Sequence, residues 1–248
     1  MYLKTQGLVL RTTEYKETDL ILTVLTREHG LMTLKARGVR RNASRLKSAC
    51  QLFCFSEFTA LSRMGYYSLT EAEPLQQFRR VREDIELLAL ASYFAQLAEV
   101  LSQQDAPDGA LLSLILNALY ALSELGKPQR LVKAVFELRA MCEAGFAPEL
   151  SDCAVCGREE PEYFFVSEGV LRCAGCAGGT GLRLPVPAGT LAAMRYIVSC
   201  EPRRLFSFSV SDEALRRLCD VSETYLLTQL ERGFSTLDFY KSLMNPMR

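Results

Sequence analysis

Two hydrophobic periodicities divide this chain of 248 residues. Up to Pro74, short runs of apolar and β-branched residues are separated by turn residues, a pattern that predicts β-strands. The five runs lie at residues 7–12, 20–26, 31–36, 52–61 and 66–72. Five short strands within about seventy residues are typical of a small closed barrel, because closure removes the exposed edges of the sheet.

From Arg79 onward, apolar residues recur every three to four positions and predict helices. The expected buried stripes lie within residues 85–100, 111–122, 131–141, 191–198 and 215–230. Asp108 and Asp212 precede two of these stripes and are predicted N-caps. Gly145, followed by Pro148, is predicted to end the third helix. The chain is therefore expected to change from sheet to helix close to residue 79.

Two Cys-x-x-Cys pairs, Cys153/Cys156 and Cys173/Cys176, are separated by sixteen residues. Two residues between cysteines allow a tight turn to direct both sulfurs at one ion, and a second turn completes a tetrahedron. We therefore predict one Zn²⁺ per chain. Because all four ligands are thiolates, no position remains for water, and the zinc is expected to be structural. Redox-active pairs and a rubredoxin-like iron site are the alternatives.

These patterns together predict a multi-domain α+β protein. An N-terminal five-stranded β-barrel is followed by an all-α helical domain, into which the four-cysteine zinc module is inserted. The predicted limits are residues 1–78 for the barrel, 79–149 and 183–248 for the helical domain, and 150–182 for the zinc module. A short strand is expected at residues 162–166, between the two cysteine pairs.

The formal net charge is zero, but the charges are unevenly distributed. Residues 1–80 contain thirteen Lys and Arg against seven Asp and Glu, whereas residues 81–248 contain sixteen against twenty-two. A basic N-terminal part indicates an anionic partner. Residues 35–47, here called the basic segment, contain six cations and no acid. These cations are Lys35, Arg37, Arg40, Arg41, Arg45 and Lys47.

Interspersed Gly, Asn and Ser predict that the basic segment is a loop leaving the third strand. Dense positive charge on a flexible backbone suits phosphate binding, although an ordinary solvated loop is the alternative. Its attachment to a small barrel favours binding, because such barrels recur as oligonucleotide platforms. The aromatic residues that would stack on bases are Tyr15, Phe53, Phe55, Tyr66 and Tyr67. Tyr15, Phe53 and Phe55 are more typical of the barrel core than of a base-stacking surface, whereas Tyr66 and Tyr67, beside Gly65, are the exceptions.

The chain carries neither the apolar core of a signal peptide at its start nor a segment apolar enough to span a bilayer. We therefore expect a cytoplasmic protein without a membrane partner, in which thiols stay reduced. The five cysteines outside the two pairs are expected to be buried small hydrophobes. They are Cys50, Cys54, Cys142, Cys200 and Cys219.

Catalytic motifs are missing from the sequence. His29 is the single histidine and lies in a predicted turn, which argues against a catalytic triad or a histidine-based metal site. The sequence contains neither a nucleophile elbow nor a dinucleotide-binding fingerprint. A binding protein is therefore predicted rather than an enzyme.

Several motifs, taken in order, resemble the RecO family of bacterial recombination mediators. Four parts of the chain carry this resemblance. They are the opening strand with the turn and strand after it, the Arg-Gly-Val-Arg-Arg motif, the run from the third helix into the first cysteine pair, and a C-terminal segment. They occupy residues 7–11, 15–26, 37–41, 136–139, 145–156 and 234–239. In the last of these motifs, this chain has Asp238 at a position where the family more usually has a basic residue.

The resemblance implies that the barrel is an OB-fold that binds single- and double-stranded DNA, with Arg11 joining the six cations of the basic segment. It also implies annealing of complementary strands and, together with RecR, loading of RecA onto DNA coated by single-strand-binding protein. The helical domain would bind the acidic C-terminal tail of that coating protein, for which Arg130, Lys133 and Arg139 are candidates. The protein would be cytoplasmic and nucleoid-associated. An OB-fold plus zinc-ribbon factor associated with transcription or RNA is the alternative function.

Overall fold

The computed structural model describes residues 2–63, 65–104 and 106–244. By its internal contacts the chain forms two compact units, one made of Met1–Glu124 with Phe234–Arg248 and the other of Leu125–Gly233. The domain limits expected from the sequence remain predictions. Residues 1, 64, 105 and 245–248 of those predicted segments lie outside the described residues.

The first unit contains the closed five-stranded barrel that the alternating pattern predicts. The strands are β1 (Tyr2–Tyr15), β2 (Asp19–Thr26), β3 (Gly30–Ala36), β4 (Phe55–Arg63) and β5 (Tyr66–Gln76). Their order around the barrel is β1-β2-β3-β5-β4, with β4 returning to pair with β1. The pair β3–β5 is parallel and the others are antiparallel. This topology is that of a five-stranded OB-fold barrel.

Strand β1 is longer than predicted because it closes the barrel. Residues 2–8 pair with β4 and residues 7–15 with β2, and a bulge between Val9 and Arg11 shifts the register of the pairing with β2. Gly7 lies where the two pairings overlap, and a Cβ atom there would be 2.5 Å from Val24 Cγ1. A glycine is required at this crossing because no side chain fits between the strands.

The fourth strand begins at Phe55, so its predicted start at Leu52 is wrong. The backbone before it turns, with Phe53 at φ +56°. Phe53 N–H donates to the carbonyl oxygen of Val9 at 2.9 Å, and Val9 N–H donates to that of Cys54 at 3.0 Å. These residues are apolar because Phe53 and Cys54 are fully buried, and burial in a turn gives the same local pattern as a strand.

Four helices accompany the barrel in the described part of the first unit. They are α1 (Arg79–Glu83), α2 (Ile85–Leu101), α3 (Gly109–Ser123) and α7 (Ser235–Met244). Asp108 caps α3 as predicted, by accepting from Leu111 N–H at 3.3 Å. Asp84 caps α2 in the same way, and the sequence analysis missed it. Helix α7 was not predicted, and the ring of Phe234 just before it packs edge-on against Tyr93 of α2.

The second unit contains three helices among its described residues, α4 (Gln129–Glu143), α5 (Ala188–Ser199) and α6 (Asp212–Gln229). Gly145 ends α4 as predicted. At φ +86° it allows Phe146 N–H to donate to the carbonyl of Met141 at 2.8 Å. The predicted cap at Asp212 is wrong by one residue, because the hydroxyl of Ser211 accepts from Ala214 N–H. No described helix is long and apolar enough to cross a membrane.

The cysteine region has more sheet than the one strand predicted at residues 162–166. Strands β6 (Glu149–Cys153), β7 (Tyr163–Phe165), β8 (Val170–Arg172) and β9 (Arg183–Pro185) form a sheet of order β6-β8-β7-β9. We call Glu149–Pro185 the cysteine module. Its central strands place Phe164 edge-on against Tyr225 of α6, with ring centroids 5.3 Å apart. Strands of three residues are too short to show a clear alternation in sequence.

Candidate functional site

The four cysteines of the two Cys-x-x-Cys pairs converge in the cysteine module. Cys153 ends β6, and Cys173 follows β8, so pairing of these strands brings both turns to one end of the sheet. The first turn is closed by Gly157 N–H donating to the carbonyl of Cys153 at 2.9 Å, and the second by Cys176 N–H donating to that of Cys173 at 2.9 Å. The structure therefore brings together the four cysteines that the sequence predicts as ligands.

The geometry of the four sulfurs fits one tetrahedral metal ion. All four Sγ atoms lie within 4.8 Å of one another, and those of Cys156 and Cys173 are 3.7 Å apart. A tetrahedral ion with metal–sulfur distances of about 2.3 Å needs sulfur–sulfur separations of about 3.8 Å. A disulfide requires about 2.05 Å, and all nine cysteines are free thiols. The cluster therefore has the donors and the dimensions that suit one tetrahedral metal ion.

Backbone amides prepare the cluster for the thiolate form that metal binding needs. Cys173 N–H points at the sulfur of Cys153 from 3.4 Å. This hydrogen bond, followed by one from the amide of Cys156, lowers the pKa of Cys153 to about 6. Hydrogen bonds from Cys176 to the sulfurs of Cys173 and Cys156 raise the pKa of Cys176 to about 12. An ion that enters the cluster consequently displaces protons.

Arg195 of α5 holds the first strand of the cysteine module. Its Nε donates to the carbonyl of Leu150 at 2.6 Å, and its Nη2 donates to the carbonyl of Ser151. The sequence analysis missed this contact because the partners are backbone groups more than forty residues away. Arg195 therefore acts as a positioning residue for the strand that carries Cys153.

The cysteines outside the cluster separate into two groups. Cys50 and Cys54 are buried as predicted, and burial raises the pKa of the Cys50 thiol to about 12. The other three are only half-buried, which corrects the expectation that all five would be core residues. They are Cys142, Cys200 and Cys219.

The basic segment is an ordered series of turns rather than a flexible loop. Arg41 N–H donates to the carbonyl of Gly38 at 3.1 Å, and Ser44 N–H donates to that of Arg41 at 3.1 Å. Val39 is 2% exposed and packs into the barrel core. The cations therefore project from a backbone that is fixed to the barrel. The Gly, Asn and Ser residues of the segment predict a loop and do not indicate this order.

Asp19 at the start of β2 fixes the beginning of this series. Its Oδ1 accepts from the backbone N–H of Gly38 at 2.8 Å. This hydrogen bond, helped by nearby Lys35, lowers the pKa of the Asp19 carboxyl below its usual value. The contact is therefore fully formed at neutral pH and weakens only as the pH falls through that lowered pKa.

The structure divides the predicted DNA-binding cations between different surroundings. Lys35 and Arg37 line a groove of about 1200 Å³ that also contains Tyr15, Tyr66 and Tyr67, and we call it the aromatic groove. Arg40 and Lys47 line a separate recess. Arg41 and Arg45 are exposed and make no ion pair with any described residue. Arg11 lies apart from these six, beside Glu99, so the seven predicted cations do not share one surface.

The aromatic groove presents both ring faces and charge. Tyr66 is 80% exposed at the turn between β4 and β5, beside Gly65 at φ +79°. The ammonium of Lys35 lies over the ring of Tyr15, 4.4 Å from its centroid. Of the other candidate aromatics, Phe53 is fully buried and Phe55 half-buried. The groove thus has the rings and cations that single-stranded nucleic acid requires.

Two predicted DNA-binding residues already have acidic partners. The guanidinium of Arg11 contacts Glu99 at 3.2 Å, and that of Arg40 contacts Glu14 at 2.9 Å. Both arginines remain largely exposed, and exposed pairs contribute only about 0–1 kcal/mol. Phosphate can replace such carboxylates at low energetic cost.

The three residues predicted to bind an acidic tail differ in accessibility. Lys133 is 6% exposed, with Nζ 2.7 Å from Glu137 and 2.8 Å from Glu223. Arg139 contacts Glu143 at 2.7 Å and donates to the carbonyls at the end of α5. Arg130 is exposed at the start of α4. Binding of a partner by Lys133 or Arg139 would require these internal contacts to open.

The fold and the cysteine cluster define the class of protein: an OB-type barrel followed by helices and a module whose four clustered cysteines are suited to metal binding. Sequence comparison then gives the family. The family model for the N-terminal part of recombination protein O matches residues 1–78, and the model for its C-terminal part matches residues 82–238. The chain belongs to the RecO family of DNA repair proteins.

Individual relatives agree over nearly the whole length. The chain is 34% identical over 245 residues to the DNA repair protein RecO of Acetivibrio thermocellus, covering 98% of this chain and 97% of that protein. It is 30% identical over 251 residues to the protein of the same name from Bacillus subtilis, covering 98% of both chains. The counterpart from Bacillus pumilus is 30% identical over 226 residues, covering 91% of this chain and 88% of the relative.

Proposed function

We propose that this protein is a DNA-binding recombination mediator that acts in repair without covalent chemistry of its own. It binds single- and double-stranded DNA, anneals complementary strands and, with RecR, helps load RecA onto DNA coated by single-strand-binding protein in the RecF pathway. The observation that carries this proposal is membership of the RecO family over nearly the full chain. A cytoplasmic, nucleoid-associated location follows from this role.

Annealing is explained by cations on different parts of one barrel. A single strand in the aromatic groove would stack bases on Tyr66 and contact Lys35 and Arg37 through phosphates. A second strand would meet the exposed arginines of the basic segment, Arg41 and Arg45. Neutralising both backbones lowers their repulsion and releases counterions, so pairing is favoured.

Combined replacement of Arg37, Arg40 and Arg41 by alanine is expected to weaken DNA binding and to flatten its salt dependence. Each lost phosphate contact lowers the slope of log K against log salt by about 0.7 to 0.9. The measurement is a salt titration of strand annealing and of DNA affinity by fluorescence anisotropy.

The control for this variant is an equal number of exposed arginines removed from the second unit, namely Arg203, Arg204 and Arg217. Its salt slope should equal that of the unaltered protein. An unchanged slope in the Arg37/Arg40/Arg41 variant would exclude the basic segment from DNA binding.

A second assay distinguishes the proposed mediator from a factor of transcription or RNA metabolism. A mediator should anneal strands that are coated with single-strand-binding protein, whereas the alternative factor should act on bare nucleic acid only.

Tyr66→Ala is expected to weaken binding to single-stranded DNA by about 1–3 kcal/mol, while affinity for a duplex changes little. The reason is that stacking needs an unpaired base, and one base stacked on an aromatic ring contributes about that amount. Anisotropy with an oligothymidylate and with a duplex of equal length measures the difference. Tyr120→Ala, at a half-exposed position of α3, is the matched control. Equal losses on both DNAs would show that Tyr66 does not stack on bases.

For the cysteine cluster we propose one structural Zn²⁺ per chain. Four thiolate donors with no open position suit zinc, and the ion would supply folding energy rather than reactivity. Elemental analysis with an absorption spectrum tests the choice of metal, because a four-sulfur iron site is coloured and a zinc site is not.

The partners proposed are RecR and the acidic C-terminal tail of single-strand-binding protein. For the tail, Arg130 is the accessible one of the three candidates, whereas Lys133 and Arg139 would contribute by holding the helices in place. Arg130→Glu should then weaken tail binding without lowering stability, because the side chain is exposed.

A further inference from the structure

The two cysteine turns of the cysteine module project into solvent. Val155, in the first turn, is 64% exposed, and Cys156 beside it is exposed as well. A Cβ atom added at Gly157 or at Gly175, one in each turn, would meet no atom within 4 Å beyond its chain neighbours. A small solute can therefore reach the ends of both turns without displacing other parts of the protein.

The four cysteines of the cluster differ in their exposure. Cys153 and Cys173 are 3% and 2% exposed, whereas Cys176 is half-buried and Cys156 is exposed. The sulfur of Cys153 is also covered by the backbone N–H of Cys173, which lies 3.4 Å away. A thiolate reacts with a dissolved oxidant only where the oxidant can reach it. Cys156 is therefore the cysteine of this cluster that an oxidant meets first.

The sulfur of Cys156 has a second sulfur close by in the other turn. Its Sγ atom lies 3.7 Å from that of Cys173. The sulfurs of a disulfide are about 2.05 Å apart, so these two atoms would have to approach by about 1.7 Å. Rotation about the Cα–Cβ bond of Cys156 moves its sulfur by distances of this order, and the exposed turn leaves room for that rotation.

We propose that Cys156 and Cys173 form a reversible oxidation site, at which a peroxide converts the two thiolates into a disulfide and the metal ion is released. The inference rests on the metal site proposed above and is independent of DNA binding. The reacting atoms are the two sulfurs, so the metal ion keeps its oxidation state throughout.

The reaction has two steps and consumes one peroxide per chain. The thiolate of Cys156 attacks one oxygen of hydrogen peroxide, so that an S–O bond forms, the O–O bond breaks and hydroxide leaves. The thiolate of Cys173 then attacks the sulfur of Cys156, so that the S–S bond forms, the S–O bond breaks and a second hydroxide leaves. The two sulfurs lose two electrons in total, and two protons from the solvent convert the hydroxides to water. Cys153 and Cys176 take up protons as the ion departs.

A bond between the turns has a different effect from a bond inside one turn. Cys156 and Cys173 are seventeen positions apart, and their disulfide would keep the two turns together after the ion has left. A disulfide between Cys153 and Cys156 would leave the turns unconnected. Because a cross-link that closes a longer loop constrains the unfolded chain more, the oxidised protein should unfold at a higher temperature than the reduced protein after chelation.

The test is a peptide map of the full chain after treatment with hydrogen peroxide. Trypsin leaves the first turn in peptide 140–158 and the second in peptide 173–183. We expect the two peptides to be joined, with Cys156 and Cys173 identified as the linked residues by fragmentation. The chain should lose about 2 Da and release one metal ion to a chromophoric chelator. A disulfide inside either turn, or a sulfinic acid at Cys156 without a cross-link, would overturn the proposal.

Cys156→Ser and Cys200→Ser are the matched pair of variants, since Cys200 is a half-buried cysteine outside the cluster. Because Cys156→Ser removes a metal ligand, both are compared with the unaltered chain as metal-free proteins. Cys200→Ser should join the two peptides as fast as the unaltered chain does. Cys156→Ser should join them more slowly, because no exposed thiol remains in the cluster. Equal rates for the two variants would show that Cys156 is not where the oxidant attacks.

Reversal with a dithiol and the metal content of the isolated protein complete the test. Dithiothreitol with Zn²⁺ should restore the original mass and one metal ion per chain, and a product that resists the dithiol would contradict a reversible site. Isolated protein without zinc would refute the proposed structural zinc. The peptide map of that same protein would still show whether Cys156 and Cys173 become linked, so the two proposals can fail separately.

Discussion

Substitution of Cys173 by serine is expected to destabilise the second unit by about 4–5 kcal/mol, the range that loss of a metal site reaches. Cys173 is 2% exposed, and its amide also contacts the sulfur of Cys153. The strands β7, β8 and β9 have three residues each. So little sheet cannot hold the two cysteine turns without the ion, because metal-binding energy is folding energy in such modules.

The loss of stability should at first be confined to the two cysteine turns. Phe164 and Leu171 are fully buried, and Phe164 packs on Tyr225, so the middle of the sheet keeps apolar contacts after the turns have loosened. Thermal unfolding and amide exchange of residues 153–158 and 173–177 measure the effect. Chelation of the unaltered protein should reproduce it, and the proposed annealing of bare DNA should persist, because the cations proposed to bind DNA lie in the other unit.

Cys200→Ser is the control for this experiment, since Cys200 is a half-buried cysteine outside the cluster. It should retain one metal per chain and the unfolding temperature of the unaltered protein to within a few degrees. If Cys173→Ser and Cys200→Ser unfold alike, the cluster does not stabilise this unit through a metal ion.

Lys133→Met is the second change with a large expected effect, a loss of about 3–5 kcal/mol. The ammonium lies between Glu137, which is fully buried, and Glu223 of α6. Methionine preserves the volume but leaves the carboxylate of Glu137 buried without its counter-charge. Ser222 Oγ–H, at 2.8 Å from Glu137 Oε2, is too weak a donor to compensate.

The pH dependence of this pair follows from the pKa of Lys133. Burial lowers that pKa, but the two carboxylates raise it by more, so it lies above the ordinary value of 10.5. Stabilisation by a group with a raised pKa is complete below the pKa of the unfolded chain and declines as the pH rises through the folded-state pKa. Urea unfolding at neutral pH therefore measures the full contribution.

A second substitution distinguishes a lost ion pair from a lost packing contact. In the double variant Lys133→Met/Glu137→Gln, a neutral amide replaces the buried carboxylate. The amide oxygen still accepts from Ser222, so most of the lost stability should return. Arg130→Ala, three residues earlier and exposed, should change stability by less than about 0.5 kcal/mol. A double variant no more stable than Lys133→Met would argue that the pairing of charges is not the source of the effect.

Much of the fold could be predicted because its signals are local. Alternation along β2 and β3 reflects a buried face and a more exposed one, and the periodic apolar stripes predict the helices, although α4 is buried on every side from Leu131 to Leu138. Errors occurred where the same local pattern has two causes. Phe53 and Cys54 are apolar because they are buried in the turn before β4, and Ser211 competes equally well with Asp212 as a cap.

The barrel, the clustering of the four cysteines and the family could be predicted from the sequence, because alternation, Cys-x-x-Cys spacing and motif order can be read along the chain. The surroundings of each cation are visible only in the folded structure. Lys133 is a buried counter-charge because Glu223 lies ninety residues away in sequence and beside it in space. The ammonium of Lys35 lies over the ring of Tyr15 in the aromatic groove, whereas Lys47 and Arg82 line a separate recess. The role of a charge depends on burial and on distant partners, and the periodicity of a chain records neither.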